Sequence, residues 1–219
     1  MKIGIFGGSF NPLHYGHLRA AEEVEQKFML DKIIFIPANA VSNKNEILLA
    51  PEKRLEMINI AIKNNKKFES SDIEIKRGGF SYSYDTAIQL QKIYPGGELY
   101  FIVGTDAFCD IKNWKKGDEI FDIINFIVVS RNDARAGADI KNLIKFAGFL
   151  PDKFKEAIGM DYSQNKIITL KNKFIYFLKI TRLDISSTSL RNNFKNNISN
   201  LFLLPNEVIN YIINNKLYK

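Results

Sequence analysis

The chain has 219 residues, 46% of them hydrophobic and 25% charged, a balance that supports a full globular core and excludes a disordered or collagen-like chain. Its single cysteine, Cys109, excludes an intramolecular disulfide and any cysteine-based zinc site. The net charge of +7 is carried unevenly, with 13 basic and 5 acidic residues from Lys141 onward and −1 left for the first 140. A basic C-terminal part suits a polyanion such as a nucleoside triphosphate or nucleic acid, but charge alone favours a solvated lysine surface. No run of about 18 apolar residues spans a membrane. The N-terminal "MKIGIFGG" reads as a buried strand and not as a signal peptide. The cytoplasm is the expected compartment.

In chain order, "KIGIF" is a continuous apolar run ended by Gly7 and Gly8, as in a central parallel strand buried on both faces. A helical pattern follows from His17 to about Phe28, with Leu18, Ala21, Val24 and Phe28 on one face. "KIIFIPA", Lys32 to Ala38, is a second strand, and Pro51 opens a helix carrying Leu55, Ile58 and Ile62. "DIEIKRGG" reads as a short strand, and "DTAIQLQKIYPGG" as a helix closed by Pro95 and two glycines. "ELYFIVGTD" and "INFIVVSR" are two more buried strands. A helical stretch is expected after Asp139, then a strand in "KFIYFLKI", a capped helix at "SSTSLRNNF" and a last helix behind Pro205. Alternating strands and helices predict α/β architecture, a doubly wound Rossmann-like parallel sheet with helices on both faces, in a single domain over residues 1–219.

Ligands of such sheets bind beyond the carboxyl ends of the strands, where two segments stand out. The first is "GGSFNPLHYGH", which holds both histidines of the chain, His14 and His17. Gly7 and Gly8 let the backbone turn sharply and approach a phosphate. The helix starting near Gly16 points its positive end there. His14 and His17 can donate ring N–H bonds to phosphate oxygens and can carry positive charge. The spacing matches neither the G-x-x-x-x-G-K-[ST] loop nor G-x-G-x-x-G. The second segment is "ISSTSLR", in which Ser187 and Thr188 lie at a predicted N-cap and Arg191 brings a permanently charged fork one turn later. Taken together they read as two ends of one polyphosphate cradle.

The H-x-G-H behind a Gly-Gly-Ser-Phe turn, with the late I-S-S-T-x-x-R, resembles the nucleotidyltransferase superfamily. "FIPANAVSNK", "GFSYSYDT", "FIVGTDAF", "NWKKGDEIF" and the closing "NNKLYK" resemble, in that order, the bacterial nicotinate-nucleotide adenylyltransferases, so the resemblance covers nearly the whole chain. It implies in-line transfer of the adenylyl group of ATP to nicotinic acid mononucleotide, with Mg²⁺ carried on the phosphates, no dedicated metal ligands and no covalent intermediate. It implies His14, His17 and Arg191 as catalytic residues. Gly7, Gly8, Ser9, Phe10, Gly16, Gly104, Asp106, Ser187 and Thr188 are implied for ATP. Lys44, Ser81, Tyr82, Ser83, Asp85, Thr86, Trp114 and Arg131 are implied for the acceptor, with Trp114 stacking on the pyridine ring.

An existing phosphate nucleophile needs no general base, only alignment of two anions and stabilisation of the developing charge. Three positions depart from the family pattern. Asn11 stands where Asp is usual, "VSNK" (Val41 to Lys44) replaces Pro-Pro-His-Lys, and Ala38 stands where Asn is common. They bear on the acceptor, so adenylyl transfer to nicotinamide mononucleotide or to phosphopantetheine is a neighbouring reading. A basic nucleic-acid-binding module is a reading of another class. Small-molecule partners are expected, with no nucleic acid and no membrane, and the oligomeric state is left open.

Overall fold

The computed structural model describes residues 1–41, 48–130, 148–150, 159–161, 166–169 and 171–219. The elements are β1 (Lys2–Gly8), α1 (Tyr15–Phe28), β2 (Lys32–Pro37), α2 (Pro51–Ile62), β3 (Phe68–Ser70), α3 (Ile73–Arg77), α4 (Ser83–Ile93), β4 (Glu98–Gly104) and α5 (Thr105–Cys109). They continue through β5 (Asn125–Ser130), β6 (Gly159–Asp161), β7 (Lys166–Ile168), β8 (Phe174–Lys179), α6 (Ser187–Lys195) and α7 (Asn206–Asn214). The strands form one eight-stranded sheet in the order β3-β2-β1-β4-β5-β8-β7-β6.

The apolar runs become parallel central strands because each must be covered twice. Ile3 and Ile5 of β1, with Leu99, Phe101 and Val103 of β4, face α4 and α5 in one core. Phe6, with Tyr100 and Ile102, faces α1 and α2 in the other, against Ala21, Val24 and Ile58. Period-two alternation therefore serves two cores, and an apolar residue is needed at every position. Beyond that second core, α2, α6 and α7 share an apolar cluster of Met57, Leu190, Val208 and Ile212.

The fold class is as expected, with three corrections of detail. The sheet is not wholly parallel, since β7 runs antiparallel to β8 and β6 to β7. Three-residue strands carry too little periodicity to be read. "DIEIKRGG" is the helix α3 and not a strand, the short strand being Phe68–Ser70 instead. Glu74 must face inward to take the Thr86 hydroxyl at 2.5 Å, and Gly78, at φ 70°, closes the turn through its N–H to the carbonyls of Glu74 and Ile75. The third concerns the helices, with α1 beginning at Tyr15 and α4 at Ser83, two residues earlier than each pattern suggested. The helix expected after Asp139 lies outside the described residues.

Asn125 ties three strands together. Only 4% exposed, it donates from Nδ2 to the Leu99 carbonyl at 3.2 Å and accepts at Oδ1 from the Phe174 N–H at 3.0 Å. Asn125→Leu strands both backbone groups, and urea denaturation is expected to show a loss of about 2 kcal/mol. A loss below about 0.5 kcal/mol contradicts this role.

Glu23 supplies a pH-dependent tie. Its carboxylate accepts from the Thr181 N–H at 3.1 and 3.0 Å and from Arg19 at 2.6 Å. Burial raises its pKa, but the bonds from Thr181 and Arg19 outweigh burial and hold it below the ordinary glutamate value. A depressed carboxylate stabilises above its unfolded pKa and loses that contribution as pH falls through the folded one. Glu23→Gln should therefore flatten the fall in stability between roughly pH 5 and pH 3. A curve superimposing on wild type over that range excludes the contribution.

Candidate active site

β1, β2, β4 and β5 all end at one edge, where a cavity of about 520 Å³ opens. Gly7, Gly8 and Ser9 line it from β1, Gly104 from β4, Ser81, Tyr82 and Ser83 from the start of α4, and Trp114 from the loop after α5. Gly7 and Gly8 are strand residues and not the sharp turn expected of them. The positive φ falls on Phe10, at 45°, and that ring is buried in the core against Phe6 and His17. Phe10 thus shapes the turn from behind without lining the cavity. A Cβ on Gly7 would meet only the Phe101 ring, at 3.5 Å, which leaves the strand end open to a ligand.

The histidines start α1. His14 is its N-cap, and His14 Nδ1 accepts the Gly16 N–H at 3.1 Å. His17 Nδ1 accepts the backbone N–H of His14 at 3.3 Å. The two rings lie 3.9 Å apart, inclined by 32°. With Nδ1 an acceptor in each ring, the neutral form carries its proton on Nε2. Gly16 is required by this packing, because a Cβ there would sit 2.9 Å from the His14 ring.

The two phosphate segments meet directly. Ser187 donates its hydroxyl to the Pro12 carbonyl at 2.9 Å, and Arg191 Nη1 donates to the Asn11 carbonyl at 2.8 Å. The N-cap of α6 is Ser186, which accepts from the Ser189 N–H at 3.1 Å, and not Ser187 or Thr188. Those two occupy the first turn, with Thr188 Oγ1 accepting from Arg191 at 3.3 Å. Tyr218 reaches across the chain to donate to Asn11 Oδ1 at 2.8 Å. Burial pushes its phenol pKa up despite Arg191 and Arg54 nearby, so the hydroxyl stays a donor. Asn11 Nδ2 is a buried donor with no hydrogen-bond partner among the described residues.

The residues expected at the acceptor divide. Ser81, Tyr82 and Ser83 line the cavity, and the N-cap residue of α4, Tyr82, makes no side-chain cap bond among the described residues. Trp114 faces the cavity while packing edge-on to Phe101 at 6.2 Å. Thr86, only 1% exposed, donates to Glu74 and accepts from Arg77 at 3.0 Å, so its hydroxyl supports the pocket from beneath. Asp85 pairs with Lys115 at 2.8 Å, and Lys115 in turn lies 4.8 Å over the Tyr82 ring. Asp106 is exposed on α5 and does not line the cavity. Lys44 and Arg131 lie outside the described residues.

Sequence reading missed Glu74 and Lys115, which line the cavity, and Arg54 and Tyr218, which brace its loops. Arg54 is wholly buried, and burial holds its guanidinium below the ordinary arginine pKa. It occupied what looks like the apolar stripe of α2, where nothing in the pattern marks a buried cation. "NNKLYK" was the only signal for Tyr218.

Residues 5–193 match the cytidylyltransferase-like family. A protein of Desulfitobacterium hafniense (strain Y51), named "Probable nicotinate-nucleotide adenylyltransferase", is 38% identical over 219 residues, covering 100% of this chain and 96% of its own. One of the same name from Geotalea daltonii is 39% identical over 222 residues, covering 100% and 98%. Among solved structures, Plasmodium falciparum nicotinic acid mononucleotide adenylyltransferase complexed with NaAD superposes with a TM-score of 0.75 at 22% identity, over 99% of this chain and 97% of that one. The last is a likeness of fold; the first three carry the assignment. The chain belongs to the cytidylyltransferase-like family of nucleotidyltransferases and, within it, to the nicotinate-nucleotide adenylyltransferases.

Proposed function

We propose that the chain transfers the adenylyl group of ATP to nicotinic acid mononucleotide, forming nicotinic acid adenine dinucleotide and pyrophosphate in the biosynthesis of NAD. A phosphate oxygen of the acceptor bonds to the α-phosphorus as the bond from that phosphorus to the bridging oxygen breaks, and pyrophosphate leaves with the electron pair. The observation that carries the reading is the docking of Ser187 and Arg191 of α6 on the carbonyls of Pro12 and Asn11, in the segment that leads into the histidine-bearing start of α1, beside a cavity lined by Ser81 to Ser83 and Trp114.

In this reading the Nε2–H groups of His14 and His17, the guanidinium of Arg191 and the N–H groups near Ser187 and Thr188 hold the phosphates and the charge that grows on them. Gly7, Gly8 and Ser9 let the triphosphate lie close to the strand end, and Gly104 and Asp106 serve the adenosine side. The uncapped first turn of α4 favours a carboxylate over a neutral amide, with Trp114 against the ring. Lys44 and Arg131 are assigned to the acceptor phosphate. Mg²⁺ would be held on the ATP phosphates and supply further charge neutralisation there. It needs few protein ligands in such a role, and no three His, Cys, Asp or Glu side chains gather among the described residues. No helix among those residues is long and apolar enough to cross a membrane, and we assign the reaction to the cytoplasm.

Pyrophosphate release with ATP and Mg²⁺ tests the reading. Nicotinic acid mononucleotide should be preferred to nicotinamide mononucleotide by at least about tenfold in kcat/KM, within the range a helix N-terminus contributes. Equal use of both contradicts the acid assignment, and release with neither overturns the reaction. His17→Ala should cost about 100-fold in kcat, and a loss below about threefold removes it from the transition state. Gly16→Ala, which pushes on the His14 ring, should lower kcat/KM on the order of tenfold. An unaffected rate would mean that the His14 ring position is not required.

A further inference from the structure

Arg54, one turn into α2, serves none of the steps above. It is wholly buried and forms no ion pair among the described residues, yet all its bonds are spent on backbone carbonyls. Nε donates to Leu49 at 2.8 Å, Nη1 to Ser9 at 2.7 Å, and Nη2 to Ala38 at 2.5 Å and Asn39 at 3.2 Å. A buried cation that makes no ion pair is costly to keep, even with the Glu52 and Glu74 carboxylates in electrostatic range. What this one holds is specific. Ser9 directly follows β1, at the strand end assigned to ATP, and lines the cavity. Asn39 donates its N–H to Ser81 Oγ at 2.9 Å and its Nδ2 to the Gly79 carbonyl at 2.9 Å, while the Ser81 N–H returns to the Ala40 carbonyl at 2.8 Å. Ser81 lines the acceptor cavity.

We infer that Arg54 is a positioning residue that couples the two substrate sites: ordering of Ser9 by bound ATP passes through the guanidinium to Ala38 and Asn39, and from Asn39 to Ser81, preorganising the acceptor pocket. The inference rests on the assignment of that cavity to the acceptor nucleotide. A segment already ordered by one ligand gives up less freedom to the second, and the coupling is reciprocal, so the acceptor raises ATP affinity by the same factor. Lysine cannot replace the residue, because a compact ammonium does not span carbonyls on three loops.

Hydrogen exchange on the wild-type protein tests this without any variant. α,β-Methylene-ATP with Mg²⁺, and no acceptor, should slow exchange at residues 7–9 and also at 39–41 and 81. Slowing at 7–9 alone overturns the coupling while leaving adenylyl transfer intact; slowing nowhere overturns the ATP site and the inference with it. Calorimetry then gives the size. The factor by which the analogue changes the affinity for nicotinic acid mononucleotide should fall at least about fivefold in Arg54→Lys, with each substrate still binding alone and the thermal melt cooperative. A factor equal to wild type overturns the role. Should Arg54→Lys not fold, the wild-type exchange pattern decides.

Discussion

A parallel sheet leaves the carboxyl ends of its strands without ladder partners, and the segments proposed to hold the phosphates are arranged around one such end, that of β1. Four backbone carbonyls at or just past it are each taken by another part of the chain. Gly8 accepts from the Ala38 N–H, Ser9 from Arg54, Asn11 from Arg191 and Pro12 from the Ser187 hydroxyl. A free carbonyl repels an incoming phosphate, so occupying these acceptors removes an electrostatic obstacle before any ligand arrives. The elements that do the occupying, β2, α2 and α6, are thereby fixed around the site.

The charge logic follows from the same arrangement. Two guanidiniums brace the turn, and both bond carbonyl oxygens there. In each histidine Nδ1 already holds a backbone N–H, which leaves Nε2 as the ring's donor. Tyr218 keeps its proton because burial opposes ionisation, and so it holds Asn11 as a neutral donor. A site of this kind favours polyanions through fixed dipoles and donors that need no rearrangement during the reaction.

The sequence was legible where residue type and chemistry coincide. The strands β1, β2, β4 and β5 declared themselves as continuous apolar runs, and the histidine pair marked the start of α1. Segments shorter than about six residues were not, because helix and strand periods do not separate over that span; α3 was mistaken for a strand and β6 and β7 were unseen. The surroundings of site residues were hidden for a different reason. Thr86 and Asp85 lie in the motif that resembles the family, but the fold turns one onto Glu74 and pairs the other with Lys115. Arg54 bonds only carbonyls, which every residue possesses, so no side-chain pattern in the sequence could name its partners.

The central claim is that this site aligns two phosphates and stabilises charge, with no protein group forming a bond to the adenylyl unit. It is tested most directly by the stereochemistry of transfer, using ATP made chiral at the α-phosphorus by sulfur substitution and following the configuration in the dinucleotide product. A single in-line displacement predicts inversion. Retention would mean two displacements through a covalent adenylyl intermediate on the protein, and would contradict the account.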